Sequence, residues 1–261
     1  MASQEEDRVT AAVLVIGDEI LSGRTQDVNL NAIAKYLGAY GVDLAEARVI
    51  GDNEDDIVAA LNALRTRYNY VVTTGGIGPT HDDITADCVA KAFGVELQED
   101  EEIVAAMTAR FGEPPNAARR RMARIPVGGS KVINPVNGPP GFQIGNVFVL
   151  AGVPSIMRGM LQDVGHRLKG GKVVIARTVR VDGFGEGVIA LPLETVAKAH
   201  PSLSLGSYPF FSADGYGANL VIRGRDEGEV AATVDELVAA LQAVGVTNIT
   251  RVDAEAAGQA R

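Results

Sequence analysis

The sequence predicts an α/β fold built on a mostly parallel sheet, followed by a small α+β domain. Three observations carry this expectation. Val9 to Ile16 and Tyr70 to Thr74 are short runs of apolar and β-branched residues with no polar alternation, as strands buried on both faces of a parallel sheet require. Strand-like runs end in Gly17-Asp18-Glu19, in Gly51-Asp52-Asn53 and in Gly75-Gly76-Ile77-Gly78, and each leads into helical spacing. Beyond Lys169-Gly170-Gly171-Lys172 the pattern changes to strand, helix, two strands and a closing helix.

The elements follow in order. After the first strand, Gly23 to Asp27 leads into a helix opened by Asn29, with Leu30, Ile33, Ala34 and Leu37 on one face. A strand ending at Val49-Ile50 precedes a helix with the stripe Ile57, Val58, Leu61 and Leu64. The third strand runs into Pro79-Thr80-His81-Asp82-Asp83. Thr80 and Asp83 are spaced as a capping box, and Ile84, Cys88, Val89, Ala92 and Phe93 form the stripe of the helix that follows. Met157, Met160, Leu161, Val164 and Leu168 trace another helix. In the second domain a strand is expected over Val173 to Val181, and Pro192 is expected to break or delay the first helix. Strand-like runs lie near Leu203 to Tyr208 and Ala218 to Ile222, and Val230, Val234, Leu237, Val238 and Leu241 mark the closing helix.

Right-handed crossovers bring the carboxyl ends of successive parallel strands to one edge, so the three Gly-Asp turns converge there. Gly75, Gly76 and Gly78 allow positive φ and the close approach of a ligand. The spacing is neither a dinucleotide fingerprint nor a P-loop, because His81 stands where the third glycine belongs and no Gly-Lys-Ser/Thr follows. Asp82 and Asp83 fit three roles: holding a divalent cation that bridges to phosphate, accepting hydrogen bonds from ligand N–H groups, or capping a helix. Arg119, Arg120, Arg121 and Arg124 either reach ligand phosphates or form a solvated helix face.

Composition narrows the class. Hydrophobic residues make up 46% of 261, enough for a sizeable core, and the net charge of −9 argues against a nucleic-acid partner. One cysteine excludes an internal disulfide, and Cys88 on an apolar stripe reads as a buried structural thiol. His81, His166 and His200 are scattered, which disfavours zinc and leaves hard cations on oxygen ligands. Ala2 to Asp7 is acidic where a signal peptide is basic, and no run is long enough to span a membrane, so a cytoplasmic location is expected.

The order Gly17-Asp18-Glu19, Asn29, Gly51-Asp52-Asn53 and Thr74-Gly75-Gly76-Ile77-Gly78-Pro79-Thr80-His81-Asp82-Asp83 resembles the MoaB/MogA molybdopterin-binding domain. It most resembles the version at the N-terminus of the competence/damage-inducible CinA proteins. The likeness continues through Asn134-Pro135, Pro140-Gly141-Phe142 and Leu150 to Met157. It implies a three-layer α/β/α MogA-like domain over residues 8–169, a small α+β, KH-like domain over 172–245 and a tail over 246–261.

The resemblance implies divalent-metal-dependent hydrolysis of nucleotide diphosphates such as ADP-ribose or FAD. Its alternative is non-hydrolytic molybdopterin binding, or a part in molybdenum-cofactor biosynthesis. It makes Asp82 and Asp83 catalytic and, with Asp52, ligands of Mg²⁺, Mn²⁺ or Co²⁺. Gly75, Gly76, Gly78, Thr80, Asp18, Glu19, Asn29, Asp52, Arg120, Arg121 and Gly152 become ligand or phosphate contacts. A small nucleotide or pterin is the expected partner, with a homo-oligomer, dimer or trimer, and no membrane or nucleic acid. The second domain lacks a basic face and a G-x-x-G loop, so it is expected to pack, dimerise or cover the pocket and not to bind RNA. CinA relatives often carry a further amidohydrolase domain, for which this chain is too short, and amidase activity is not expected. Two departures, Asn137-Gly138-Pro139 in place of Gly-Thr-Ala and Ala151 in place of proline, fall near the ligand and bear on substrate identity.

Overall fold

A computed structural model describes residues 8–136, 138–213 and 215–252. The acidic stretch Ala2 to Asp7, Asn137 and the Ala/Glu/Gln-rich residues from Asp253 to Arg261 lie outside the described residues. The chain forms two compact units, Met1–Gly171 and Lys172–Arg261.

The first unit opens with β1 (Val9–Ile16), α1 (Asp18–Leu21), α2 (Asn29–Ala39), β2 (Val42–Ile50), α3 (Glu54–Arg67), β3 (Tyr70–Thr74) and α4 (Thr85–Phe93). It continues through β4 (Leu97–Glu99), α5 (Glu101–Phe111), α6 (Ala117–Arg121), β5 (Arg124–Pro126), β6 (Ser130–Val132), β7 (Gly141–Ile144), β8 (Val147–Leu150) and α7 (Pro154–Val164). Six strands form one sheet in the order β2-β1-β3-β8-β7-β6. The pairs β1/β2, β1/β3 and β3/β8 are parallel, and β7 is antiparallel to both its neighbours.

Side-chain alternation explains why β1 carries no polar residue at its centre. Ala12, Leu14 and Ile16 pack with Ile57, Leu61 and Leu64 of α3 and Val89 of α4, while Ala11, Val13 and Val15 pack on the other face with Ile33 and Leu37 of α2 and Met157 and Met160 of α7. Helices therefore cover both faces of the sheet, giving three layers. Each fully buried Leu or Ile on these faces contributes roughly 1.5–3 kcal/mol. β2 lies at the sheet's edge and shows the alternating burial of a half-exposed strand.

Local sequence fixes the helix ends. The Asn53 side chain accepts the Asp56 N–H at the start of α3, with Glu54, Asp55 and Asp56 in its first turn and Arg65 and Arg67 in its last, complementing the helix dipole. Asp100 accepts the N–H groups of Glu102 and Ile103 at the start of α5. The helix after the glycine turn begins later than the capping-box spacing implies. α4 starts at Thr85 with no side-chain cap, and the Thr80–Asp83 bonds close a separate turn before it. Cys88 is fully buried on α4, and burial pushes its thiol up to about 12, as befits a structural residue.

The second unit comprises β9 (Ile175–Asp182), α8 (Glu186–Ala199), β10 (Ser204–Ser212), β11 (Gly215–Gly224), α9 (Glu227–Ala243) and β12 (Ile249–Val252). Its sheet, β10-β11-β9-β12, is antiparallel throughout. Val179, Val181, Leu220 and Ile222 pack against Ile189 and Val196 of α8 and Val230, Leu237 and Leu241 of α9.

Three local expectations are corrected here. Residues 249–252, read as tail, form β12 on the free side of β9 and follow the buried Val246. Pro192 does not break its helix: α8 runs through it, and the ring is buried on the same face as Ile189 and Val196. The strand begins at Ile175, with Val173 and Val174 exposed before it. No helix among the described residues is long and apolar enough to cross a membrane.

Candidate functional site

The parallel strands β1, β2, β3 and β8 present their carboxyl ends to one edge, where a cleft of about 470 Å³ opens. Its floor is the turn Gly75 to Gly78, and its walls include Glu19, Asp83, Met122, Pro139, Pro140 and Gly152.

The glycines are required by contact as well as by conformation. Gly75 has φ +99° and Gly76 +65°. A Cβ at Gly75 would lie 2.1 Å from the Ile16 carbonyl oxygen, and one at Gly76 would lie 2.1 Å from the Thr85 hydroxyl. Thr85 ties the turn to α4, its hydroxyl donating to Gly75 O at 3.0 Å and its N–H to Gly76 O at 3.0 Å. A Cβ at Gly78 would meet the Asp83 carboxylate at 2.6 Å, so that carboxylate packs directly on the turn.

Asp82 and Asp83 converge on one atom. The Thr80 hydroxyl lies 2.5 Å from Asp82 Oδ1 and 2.6 Å from Asp83 Oδ2, and the Thr80 N–H donates to Asp83 Oδ2 at 2.8 Å. The hydroxyl has one proton and two carboxylates to serve. The Asp82 carboxyl is held below its ordinary range first by the Thr80 hydroxyl and then by its own backbone N–H, with the charges of His81 and Arg121 helping. Thr80, expected as a ligand contact, gathers the acidic pair. His81 is almost fully exposed, 3.9 Å from Asp82.

Asp52 and Asp18 form a second acidic point. Asp52 Oδ2 accepts the Asp18 N–H at 3.0 Å, and the Asp18 side chain lies over Gly51. Among the described residues no three of His, Cys, Asp and Glu are arranged to hold a metal ion, so Asp52 does not complete a three-carboxylate cage with Asp82 and Asp83. Its carboxyl is pushed above the ordinary range, first by burial and further by the charges of Asp18, Glu19 and Asp82, against the opposing Asp18 N–H bond.

That shift has a sign for stability. A carboxyl raised in the folded state is penalised while ionised, and the penalty fades as pH falls through its folded pKa to below its ordinary value. Asp52→Asn keeps an amide oxygen for the Asp18 N–H and removes the charge. Its melting temperature at pH 7 is expected to rise by ~2 °C, with no gain at pH 3, in paired thermal melts.

The arginines take different partners. Arg121 does not line the cleft itself but a small pocket beside it, with Gly76, Gly78 and Asp83. Arg120, expected beside it, does not line the cleft: its guanidinium makes two bonds to Glu99, at 2.9 and 2.6 Å. Arg124 lines the same small pocket as Arg121 but is paired with Asp87, at 2.9 and 2.7 Å, and Arg119 stacks on Phe111 at 4.3 Å.

Asn29 is 4% exposed and joins two walls of the site by donating to Gly152 O at 2.7 Å. That bond fixes the amide orientation, so Oδ1 faces away from Gly152, and it has no protein partner. The buried Thr74 hydroxyl also lacks a partner. Both residues line a small chamber of about 60 Å³ that opens beside the cleft between Glu19, Asp27 and Gly152. Thr74 was missed by sequence reasoning, since a β-branched residue ending a strand needs no further explanation. Met122 was missed as well, while Pro139, in the loop expected near the ligand, does line the cleft beside Pro140.

Residues 12–170 match the family described as "Probable molybdopterin binding domain", and residues 174–249 match the family described as "FAD synthase, middle domain". The chain belongs to the molybdopterin-binding-domain family. Within it the chain is CinA-like. A CinA-like protein of Gemmatimonas aurantiaca is 33% identical over 76% of this chain and 50% of its own length. One from Desulfovibrio desulfuricans is 32% identical over 74% of this chain and 48% of its own. The chain thus spans about half the length of these curated relatives. The crystal structure of CinA from Thermoplasma acidophilum, a protein described as having unknown function, superposes with a TM-score of 0.58 at 32% identity, covering 62% of this chain and 98% of that one.

Proposed function

We propose that this molybdopterin-binding-domain chain is a divalent-cation-dependent hydrolase of nucleotide diphosphates of the ADP-ribose or FAD type. The observation that carries the reading is the convergence of Asp82 and Asp83 on Thr80 beside a glycine turn with no side chains in the way. Gly75, Gly76 and Gly78 let backbone N–H groups approach a diphosphate closely. Asp82 and Asp83 supply two hard oxygen ligands, which suits a cation completed by phosphate oxygens and water in place of a full protein cage. A cation bound there neutralises phosphate charge and makes water more acidic.

Arg121, in a small pocket that shares Gly76, Gly78 and Asp83 with the cleft, would stabilise charge that develops on the leaving phosphate. Asp52, which accepts the Asp18 N–H at 3.0 Å at the same sheet edge, would serve as a proton acceptor for the attacking water. The match of the second unit to an FAD synthase middle domain supports a nucleotide-related ligand.

A second reading is favoured by one observation. Asn29 Oδ1 and the Thr74 hydroxyl are buried without partners in an acceptor-rich chamber, which suits the N–H edge of a pterin ring. In that reading the chain binds molybdopterin and breaks no bond. Purified protein incubated with ADP-ribose and FAD across Mg²⁺, Mn²⁺ and Co²⁺ separates the two. Turnover that depends on Asp82 and Asp83 supports hydrolysis. No turnover with any pairing, together with tight molybdopterin binding, overturns it.

A further inference from the structure

We propose that an apolar groove beside the glycine turn is a ring subsite, which takes the planar heteroaromatic ring of the ligand whose phosphate lies at the turn. The groove encloses about 410 Å³ and is lined by Met107, Arg110, Phe111, Met122, Ile133 and Pro139. It is continuous with the cleft, because Met122, Asn134, Pro139 and Pro140 form part of both walls.

Its chemistry is that of a stacking platform. Phe111 ends α5 and stays 46% exposed, while Ile133 is 59% exposed. The Phe111 ring is held by guanidinium groups, that of Arg119 lying 4.3 Å and that of Arg110 5.4 Å from its centroid. A heteroaromatic ring is attracted to such an assembly through its face and through the cations. Lys131, also on the wall, is bound by Asp100 at 3.1 Å and by Glu102, so it is not free for a second phosphate. The volume is that of a small-molecule site. An acidic, glycine-floored cleft opening into an apolar groove therefore reads a ligand with phosphate at one end of a short tether and a ring at the other.

The inference rests on a phosphate lying at the glycine turn, as in the hydrolytic reading; the pterin reading seats its ring instead in the chamber at Asn29 and Thr74, and the inference does not depend on turnover. Two probes that resist hydrolysis test it on the full chain with Mg²⁺: α,β-methylene ADP-ribose, which carries a ring, and methylenediphosphonate, which does not. In titration calorimetry Phe111→Ala is expected to weaken the ring-bearing probe roughly ten-fold, the size of one stacking contact, and to leave the ring-free probe within about two-fold. Ile133→Asp, on a separate segment, is expected to show the same split, which guards against a folding defect in the first variant; circular dichroism checks both.

Equal losses for the two probes overturn the proposal. So do unchanged binding of the ring-bearing probe, its failure to bind the wild type, or a change of oligomeric state in Phe111→Ala, which would mean that a second copy covers the groove. An intact split with no hydrolysis of ADP-ribose or FAD overturns only the hydrolytic reading.

Discussion

Replacing Asp82 and Asp83 together by Asn lowers the turnover of ADP-ribose or FAD by at least ~100-fold, with the fold and melting temperature largely kept. The expected size follows from the loss of preorganised charge at the point where transition-state charge gathers, for which a single contact accounts for ~10²–10³ in rate. The fold survives because the pair lies in an exposed turn outside the sheet and both helical layers. The single variants are expected to differ. Asp83 packs against Gly78 and accepts the Thr80 N–H, so Asp83→Asn retains an oxygen for that bond and tests charge at fixed geometry. Asp82→Ala removes the competing acceptor and leaves the Thr80 hydroxyl to Asp83 alone. Metal-titrated turnover measurements on the three variants check the expectation, and a double variant that keeps wild-type turnover would sink the acidic pair as the reacting centre.

Gly75→Ala is expected to destabilise the first unit by about 3 kcal/mol or more and to abolish ligand binding. Two effects add at this position: φ of +99° is strained for any L side chain, and the new methyl would press on the Ile16 carbonyl oxygen at 2.1 Å. That oxygen belongs to the last residue of β1, buried between two helical layers, and it cannot withdraw without shifting the strand. Gly94→Ala separates the two effects. Gly94 ends α4 with φ +66° and has open space around it, so only conformational strain applies, at a cost of about 1 kcal/mol. Urea denaturation of both variants checks the difference, and equal losses would show that backbone strain alone makes glycine necessary at Gly75.

Much of the first unit was legible in the sequence. Val9 to Ile16 and Tyr70 to Thr74 coincide with β1 and β3, because strands buried on both faces leave an uninterrupted apolar record. The convergence of Asp18, Asp52 and Asp82 at one edge followed from parallel topology and is borne out in their mutual electrostatics. The start of α4 was misplaced because Thr80 and Asp83 make cap-like bonds in a turn that belongs to no helix. Arg120 and Arg121 are adjacent in sequence, but Arg120 pairs with Glu99 and Arg121 lines a small pocket beside the glycine turn, a distinction set by the strand β4 that no local pattern reports. β12 escaped notice because four residues with two exposed positions carry little periodic signal. The apolar groove draws on residues 107, 110, 111, 122, 133 and 139, brought together from separate segments by the tertiary fold.

The Thr80 hydroxyl, with one proton between two carboxylates, is a local conflict that the protein alone does not resolve. Any positive group that enters between Asp82 and Asp83 removes the conflict by serving both at once. Occupancy and stiffness of the 79–83 turn are therefore linked, and by reciprocity whatever stiffens the turn in its gathered form tightens the grip on such a group. Affinity here becomes adjustable from positions that never touch the ligand, through how often the two acids already stand side by side.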